Sequence, residues 1–302
     1  GKNTLPIRVI AEDGSEKIYN VNVTRKNPVE SVSIFKKEYE LIPTKPTLTT
    51  SSNNSNDESG LYKSTDTNTG KPTYYFRGNV ENNYVSFAGF TWRIVRINED
   101  GTVRIVMQDG INSNTNYEFN SNYRNYIYMY YTNSQAKTTL ESWYQTNIGS
   151  NSTLDNKVAS GNYYCEQAKT KVVSSWLSGN ANMIVPSSYT PNFKCEIDGN
   201  GKGVVSASIG LLTYDEVVYA GGYSYSSNSN YYLYNSNIYW WTMGPAGGPD
   251  NVPYVWNVST DGSIVDEYPV SHPRVVRPVL ILNADTQISD GDGTKNNPFV
   301  VS

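Results

Sequence analysis

The chain has 302 residues, a net charge of −4 and only 17% charged residues, against about 25% in an average globular chain. Aromatic and neutral polar residues fill the gap, and 26 Tyr with 6 Trp are too many for a disordered chain. No basic run marks a nucleic-acid interface, no apolar run approaches the ~18 residues of a membrane helix, and a single histidine excludes a histidine-based metal cluster. Any Ser-His-Asp triad would need His272 as its base.

The chain starts at Gly1 with no signal peptide, as expected of a cytosolic chain or a trimmed piece of an exported one. Residues 1–27 read as two short strands. Ile7, Val9 and Ala11 alternate, Asp13-Gly14 turns, and Tyr19, Val21 and Val23 alternate again. Two strands are not a stable unit in water, so they are expected to complete a sheet with upstream sequence or a neighbouring subunit. Residues 28–60 read as a connector, punctuated by Pro28, Pro43 and Pro46 and closed by a Ser/Asn/Asp/Thr tract.

Residues 61–302 read as one domain. Its clearest hairpin covers 90–107, with Phe90, Trp92 and Ile94 alternating before a turn at Asn98-Glu99-Asp100-Gly101. Leu140, Trp143, Tyr144 and Ile148 share one helical face, which predicts a helix over 136–148. Thr213-Tyr214-Asp215-Glu216 is a capping box that opens a second helix, and Gly221-Gly222 stops it. Residues 254–258 and 263–265 flank an Asp261-Gly262 turn. The nearly continuous apolar run 274–282 reads as one central strand covered on both faces. Short strands, two main helices and long loops predict an α+β fold.

Two stretches carry a resemblance. Val9-Ile10-Ala11-Glu12-Asp13-Gly14, with Tyr19-Asn20-Val21-Asn22-Val23-Thr24-Arg25, resembles the end of cadherin-like β-sandwich modules of bacterial surface proteins. Tyr239-Trp240-Trp241-Thr242-Met243, Val255-Trp256-Asn257-Val258, Asp261-Gly262 and Val276-Arg277-Pro278-Val279 follow in order. They are similar to a domain of unknown function in bacterial cell-surface proteins. That domain belongs to the C-type-lectin-like group, in its formylglycine-generating-enzyme-like branch. Gly210-Leu211-Leu212-Thr213-Tyr214-Asp215-Glu216-Val217, Tyr231-Tyr232-Leu233-Tyr234, Tyr164-Cys165 with Phe193-Lys194-Cys195, and the 291–300 tail match it too. Val275 stands where the family has Gly, Gly244 where it has Ser, and residues 245–273 match poorly.

The resemblance implies a C-type-lectin-like domain over 61–302 that meets ligands on its long C-terminal loops. On this sequence those loops carry Trp240, Trp241, Asp250, Asn251, Tyr254, Tyr268 and His272. Adjacent strand residues point to opposite faces, so one of Trp240 and Trp241 is expected to be buried and the other exposed. Trp256 is expected in the core. Tyr interleaved with Ser and Asn over 223–234 has the composition of a contact surface.

The enzymatic activity of the branch needs reactive cysteines near the C-terminal end, and no Cys follows Cys195. Asp215/Glu216 and Asp266/Glu267 are adjacent pairs, and sequence neighbours rarely face each other across a substrate. Asp198-Gly199-Asn200-Gly201 and Asp290-Gly291-Asp292-Gly293 are parts of a calcium loop without its distal bidentate Glu, and turn chemistry accounts for them. The expectation is therefore no catalytic residue, no metal and no cofactor. Cys165 and Cys195 are expected to form a disulfide, as two cysteines in one exported domain do.

The function expected is a non-enzymatic adhesin or ligand-binding protein of the bacterial cell surface. It would take a glycan or protein on a host or neighbouring cell. The alternative is a structural subunit of a filament or lattice joined through residues 1–27.

Overall fold

The computed structural model describes residues 2–24, 30–46, 48, 57–169, 189–247 and 252–302. Its centre is an eight-stranded sheet organised by the long strand Phe90–Ile97. Val103–Met107 returns along one side of this strand, placing Trp92 opposite Met107 and Ile94 opposite Ile105. Tyr84–Phe87 pairs with its first half, and Thr73–Arg77 with its last residues. Val279–Leu282 and Phe299–Val301 extend the sheet from the far end of the sequence. Trp92, Ile94, Ile105 and Val106 are all fully buried, so both faces of the sheet's centre are covered.

A second sheet of six strands has the order Asn116–Tyr117, Arg274–Val275, Trp240–Pro245, Val255–Val258, Ser263–Val265, Tyr223–Ser224. Every residue of Trp240–Pro245 and Val255–Val258 is buried. One hydrophobic cluster runs from Ile34 to Phe299 and joins both sheets.

Strands account for 35% and helices for 14% of the described residues, with four short α-helices. This corrects the expectation of an α+β, C-type-lectin-like domain with two main helices: the chain is mostly β. The two helices anticipated do form, at Gln135–Tyr144 and Tyr214–Ala220, but they are 10 and 7 residues long. Helices of two or three turns fill gaps beside the sheets and cannot build a layer. The first continues through a π-turn, Gln145–Gly149, and buries Leu140, Trp143, Tyr144 and Ile148 as the spacing required. In the second, Thr213 accepts from the Glu216 N–H and Glu216 reaches back to the Thr213 N–H at 2.9 Å.

The run 274–282 is also not one strand. Arg274–Val275 belongs to the second sheet and Val279–Leu282 to the first. Pro278 fixes its own φ, has no N–H for a ladder and restricts the residue before it, so the chain changes sheets there.

Near the N-terminus, Lys2–Ile10 pairs with Glu16–Thr24 over nine residues and with no other described strand. Ile7, Val9, Ile10, Ile18, Tyr19 and Val21 are exposed. The next hairpin, Ser31–Ile34 with Lys37–Glu40, behaves differently. Although it lies in the stretch read as a connector, Ile34, Tyr39 and Leu41 are buried in the main cluster. Tyr39 packs edge-on against Phe76 at 5.3 Å.

Candidate functional site

The tryptophan pair is the first correction at the site. Trp240 and Trp241 are 1% and 0% exposed. Their strand lies between two neighbours in a sheet covered on both faces, so alternation sends one ring into each of two interiors. Trp241 packs on Phe119 at 5.7 Å and donates Nε1–H to the Tyr117 carbonyl. Trp240 faces the Arg277 guanidinium at 4.6 Å. Neither offers a ring to a ligand. Trp256 is buried as well, between Tyr214 and Tyr225. Asp250 and Asn251 lie outside the described residues.

The remaining three residues come together. Ala246 N–H donates to the Tyr254 carbonyl and Val270 N–H to the Pro253 carbonyl, which zips residues 253–254 against 269–270. His272 N–H closes a turn onto the Pro269 carbonyl. This turn stacks Tyr268 and His272, with ring centroids 4.5 Å apart and planes 19° apart. Tyr268 is 38% exposed, His272 is exposed, and Tyr254 is half-buried.

Arg274 and Tyr239 adjoin these residues, as do Tyr225, from the 223–234 tract, and Asp266, weighed in sequence only as one of an acidic pair. Arg274 lies 4.7 Å from the Tyr268 ring and 4.1 Å from the Tyr239 ring. Tyr225, 59% exposed, donates its hydroxyl to Asp266. Tyr225 sits at φ +53, a backbone state rare for a bulky residue. Its N–H to the Ile264 carbonyl and its hydroxyl to Asp266 hold it there. Such strain is concentrated at functional sites in proteins generally. The Tyr225-rich tract was a visible signal, whereas Arg274 and Asp266 carried no signal of this placement, because their neighbours are set by the sheet.

Burial, reinforced by Arg274, lowers the His272 pKa, so the imidazole is neutral at physiological pH. Burial raises the Asp266 carboxyl, partly offset by the Tyr225 hydroxyl. The turn therefore presents a stacked, neutral aromatic pair, and Tyr225 holds a hydrogen-bonded carboxylate at Asp266. Exposed aromatic rings hold ring-shaped or planar ligands by stacking, with specificity from short polar groups. Among the described residues no serine or carboxylate bonds the His272 imidazole, and no group of three His, Cys, Asp or Glu converges on one point.

The other acidic candidates are committed elsewhere. Asp198 accepts from Asn200 and Lys202 N–H groups and from the Tyr130 hydroxyl, and Asp292 accepts from Thr294 N–H. Both are turn-forming aspartates. Asp215 meets Lys169 at 2.9 Å and Glu216 meets Arg96 and Arg104, so the adjacent carboxylates point apart. Cys165 and Cys195 form a disulfide with Cα atoms 5.8 Å apart, and Asn68 hydrogen-bonds both backbone groups of Cys195.

Comparisons with protein families, curated proteins and solved structures return no match to this chain.

Proposed function

We propose that this chain is a non-enzymatic ligand-binding module of the bacterial cell surface that takes a glycan on the face built by Tyr225, Tyr254, Tyr268 and His272. The exposed Tyr268–His272 stack beside Arg274 carries the reading. An exposed aromatic pair with a cation behind it and a carboxylate nearby is a surface suited to a sugar ring and its hydroxyls. The Cys165–Cys195 disulfide supports export, because such bonds persist in oxidising compartments. The sequence pieces similar to bacterial surface domains support the same location.

A glycan array followed by calorimetry on the best sugar tests it. The double change Tyr254→Ala and Tyr268→Ala should weaken capture at least about tenfold, as truncated aromatic hot spots do. The melting temperature should fall only modestly, because Tyr268 is exposed and Tyr254 is only partly buried against the main cluster. Undiminished binding with a fall in stability would show that these rings serve the core. Capture of proteins but of no glycan would overturn the sugar reading.

One observation favours a second reading, a structural subunit. The hairpin over residues 2–24 exposes six large apolar side chains and, among the described residues, two unpaired strand edges. In that reading it assembles with other chains.

A further inference from the structure

A concavity lies over central strands of the large sheet, beside the turn over residues 234–237. It is an open cleft of about 510 Å³ lined chiefly by Tyr84, Gln108, Asp109, Tyr234, Asn235 and Lys295. Its walls are well defined. The Tyr84 N–H bonds the Gly293 carbonyl, tying its strand to the turn that carries Lys295. Asn235 accepts from the Asn237 N–H and donates to Asp109 at 3.3 Å. Two aromatic rings and two side-chain amides thus face one space.

The charge beneath this cleft is unusual for the molecule. Arg93 and Arg277 are 3% and 1% exposed. Among the described residues neither has a carboxylate within ion-pair distance, whereas Arg77 pairs with Asp57, and Arg96 and Arg104 with Glu216. The partners of Arg93 are neutral: Asn83 Oδ1 at 2.7 Å, Gln108 Oε1 at 3.4 Å, and the Val80 and Tyr232 carbonyls. Arg277 donates to the Met107 and Leu233 carbonyls, and its buried Nη2 has no hydrogen-bond partner among the described residues. Both arginines connect to the cleft wall. The Arg93 guanidinium lies 3.8 Å from the Tyr84 ring and bonds Gln108, and Leu233 precedes Tyr234.

Two buried like charges without a counter-ion repel each other and carry a desolvation penalty that neutral carbonyls only partly offset. Lys295 adds a third positive charge at the rim. Asp109, exposed at the same rim, offsets Lys295, and the exposed Glu81 is solvated and screened, so neither neutralises the buried arginines. An anion in the cleft would therefore be attracted by an uncompensated field that is strengthened by the low dielectric below it.

We infer that this cleft is a second ligand site, selective for a carboxylate-bearing saccharide of the uronic-acid class. Its sugar ring lies against Tyr84 and Tyr234, its hydroxyls meet the amides of Gln108 and Asn235, and its carboxylate meets Lys295 above the buried Arg93–Arg277 pair. The site stands independently of the Tyr268 face.

Calorimetry with a panel of uronic-acid tetrasaccharides, each beside its neutral hexose counterpart, tests it. The acidic member should bind at least about tenfold more tightly than the neutral one, and more weakly as salt is raised. Lys295→Glu, at an exposed position, should reduce affinity about tenfold or more without affecting folding. Asp109→Asn should raise it about fivefold by removing the opposing charge. The Tyr254→Ala, Tyr268→Ala protein should bind the acidic probe unchanged, so failure here and failure of the first site are distinguishable. The inference is overturned if no uronic-acid probe binds, if neutral probes bind equally, or if Lys295→Glu and Asp109→Asn leave affinity where it was.

Discussion

Asp215 and Glu216 are adjacent on one helix and lie in opposite electrostatic settings. Burial raises Asp215 above the ordinary carboxylate range despite Lys169, and Tyr189 donates its hydroxyl to both of its oxygens. Burial would raise Glu216 too, but Arg104 and Arg96 outweigh it and the carboxyl sits low. Arg104 Nε is 2.7 Å from Glu216 Oε1 but off the N–H direction, so that contact is an ion pair without a hydrogen bond. Glu216→Gln leaves the buried Arg104 and the partly buried Arg96 uncompensated and should cost about 3–5 kcal/mol in denaturant unfolding. The pH dependence follows from the sign of the shift. A carboxyl held low in the folded state stabilises fully above its unfolded value, about 4.3, and loses that contribution as pH falls through the folded value. Melting temperatures from pH 7 to 2 should therefore drop more steeply for the wild type than for Glu216→Gln. Parallel curves would show that the ion pair adds nothing. The capping box around Glu216 was readable because it is local. Its arginine partners, more than a hundred residues away in the chain, were not.

At the level of elements, the sequence signals that succeeded are those closed within a few residues. The 90–107 hairpin, the helical face from Leu140 to Ile148 and the Asp261-Gly262 turn all form. Those that failed depend on what covers an element. Trp240 and Trp241 alternate as any strand does, yet no local pattern tells that both faces of their sheet are covered. The 274–282 run is apolar but for Arg274 and Arg277, and a run buried on both faces looks alike whether it serves one sheet or two. Gly262 gives an element-scale test. It sits at φ +83, and a Cβ there would lie 1.8 Å from the Asn228 carbonyl oxygen. Gly14, in the N-terminal hairpin, has φ +82 and open space around it. Gly14→Ala should cost only the ~1–2 kcal/mol of left-handed strain, confined to its hairpin. Gly262→Ala must also displace the 228–230 loop and should lower the main thermal transition clearly more. Equal, small effects in both would mean that the loop yields freely.

For the whole molecule, composition spoke to class and missed architecture. Two good helical signals suggested α+β, but a helix signal measures one amphipathic face and not the number of layers the fold builds. The N-terminal region poses the sharper question, because the segment read as strands stays outside the core and a hairpin within the segment read as a connector enters it. Residues 2–24 lend no described side chain to the core, whereas Ile34, Tyr39 and Leu41 of the next hairpin are buried in it. Burying a large apolar side chain contributes about 1.5–3 kcal/mol. Removing residues 1–27 should therefore leave the main melting transition in place. Removing residues 1–60 should lower it sharply, because three such side chains leave and Phe76 loses its edge-on Tyr39. The same pair of proteins decides the structural-subunit reading. If the exposed hairpin joins chains, light scattering will find the full chain associated and the protein lacking residues 1–27 monomeric. A full chain that stays monomeric at the highest soluble concentration would end the self-assembly reading. A fall in melting temperature on removing residues 1–27 alone would mean that the first hairpin leans on the core after all.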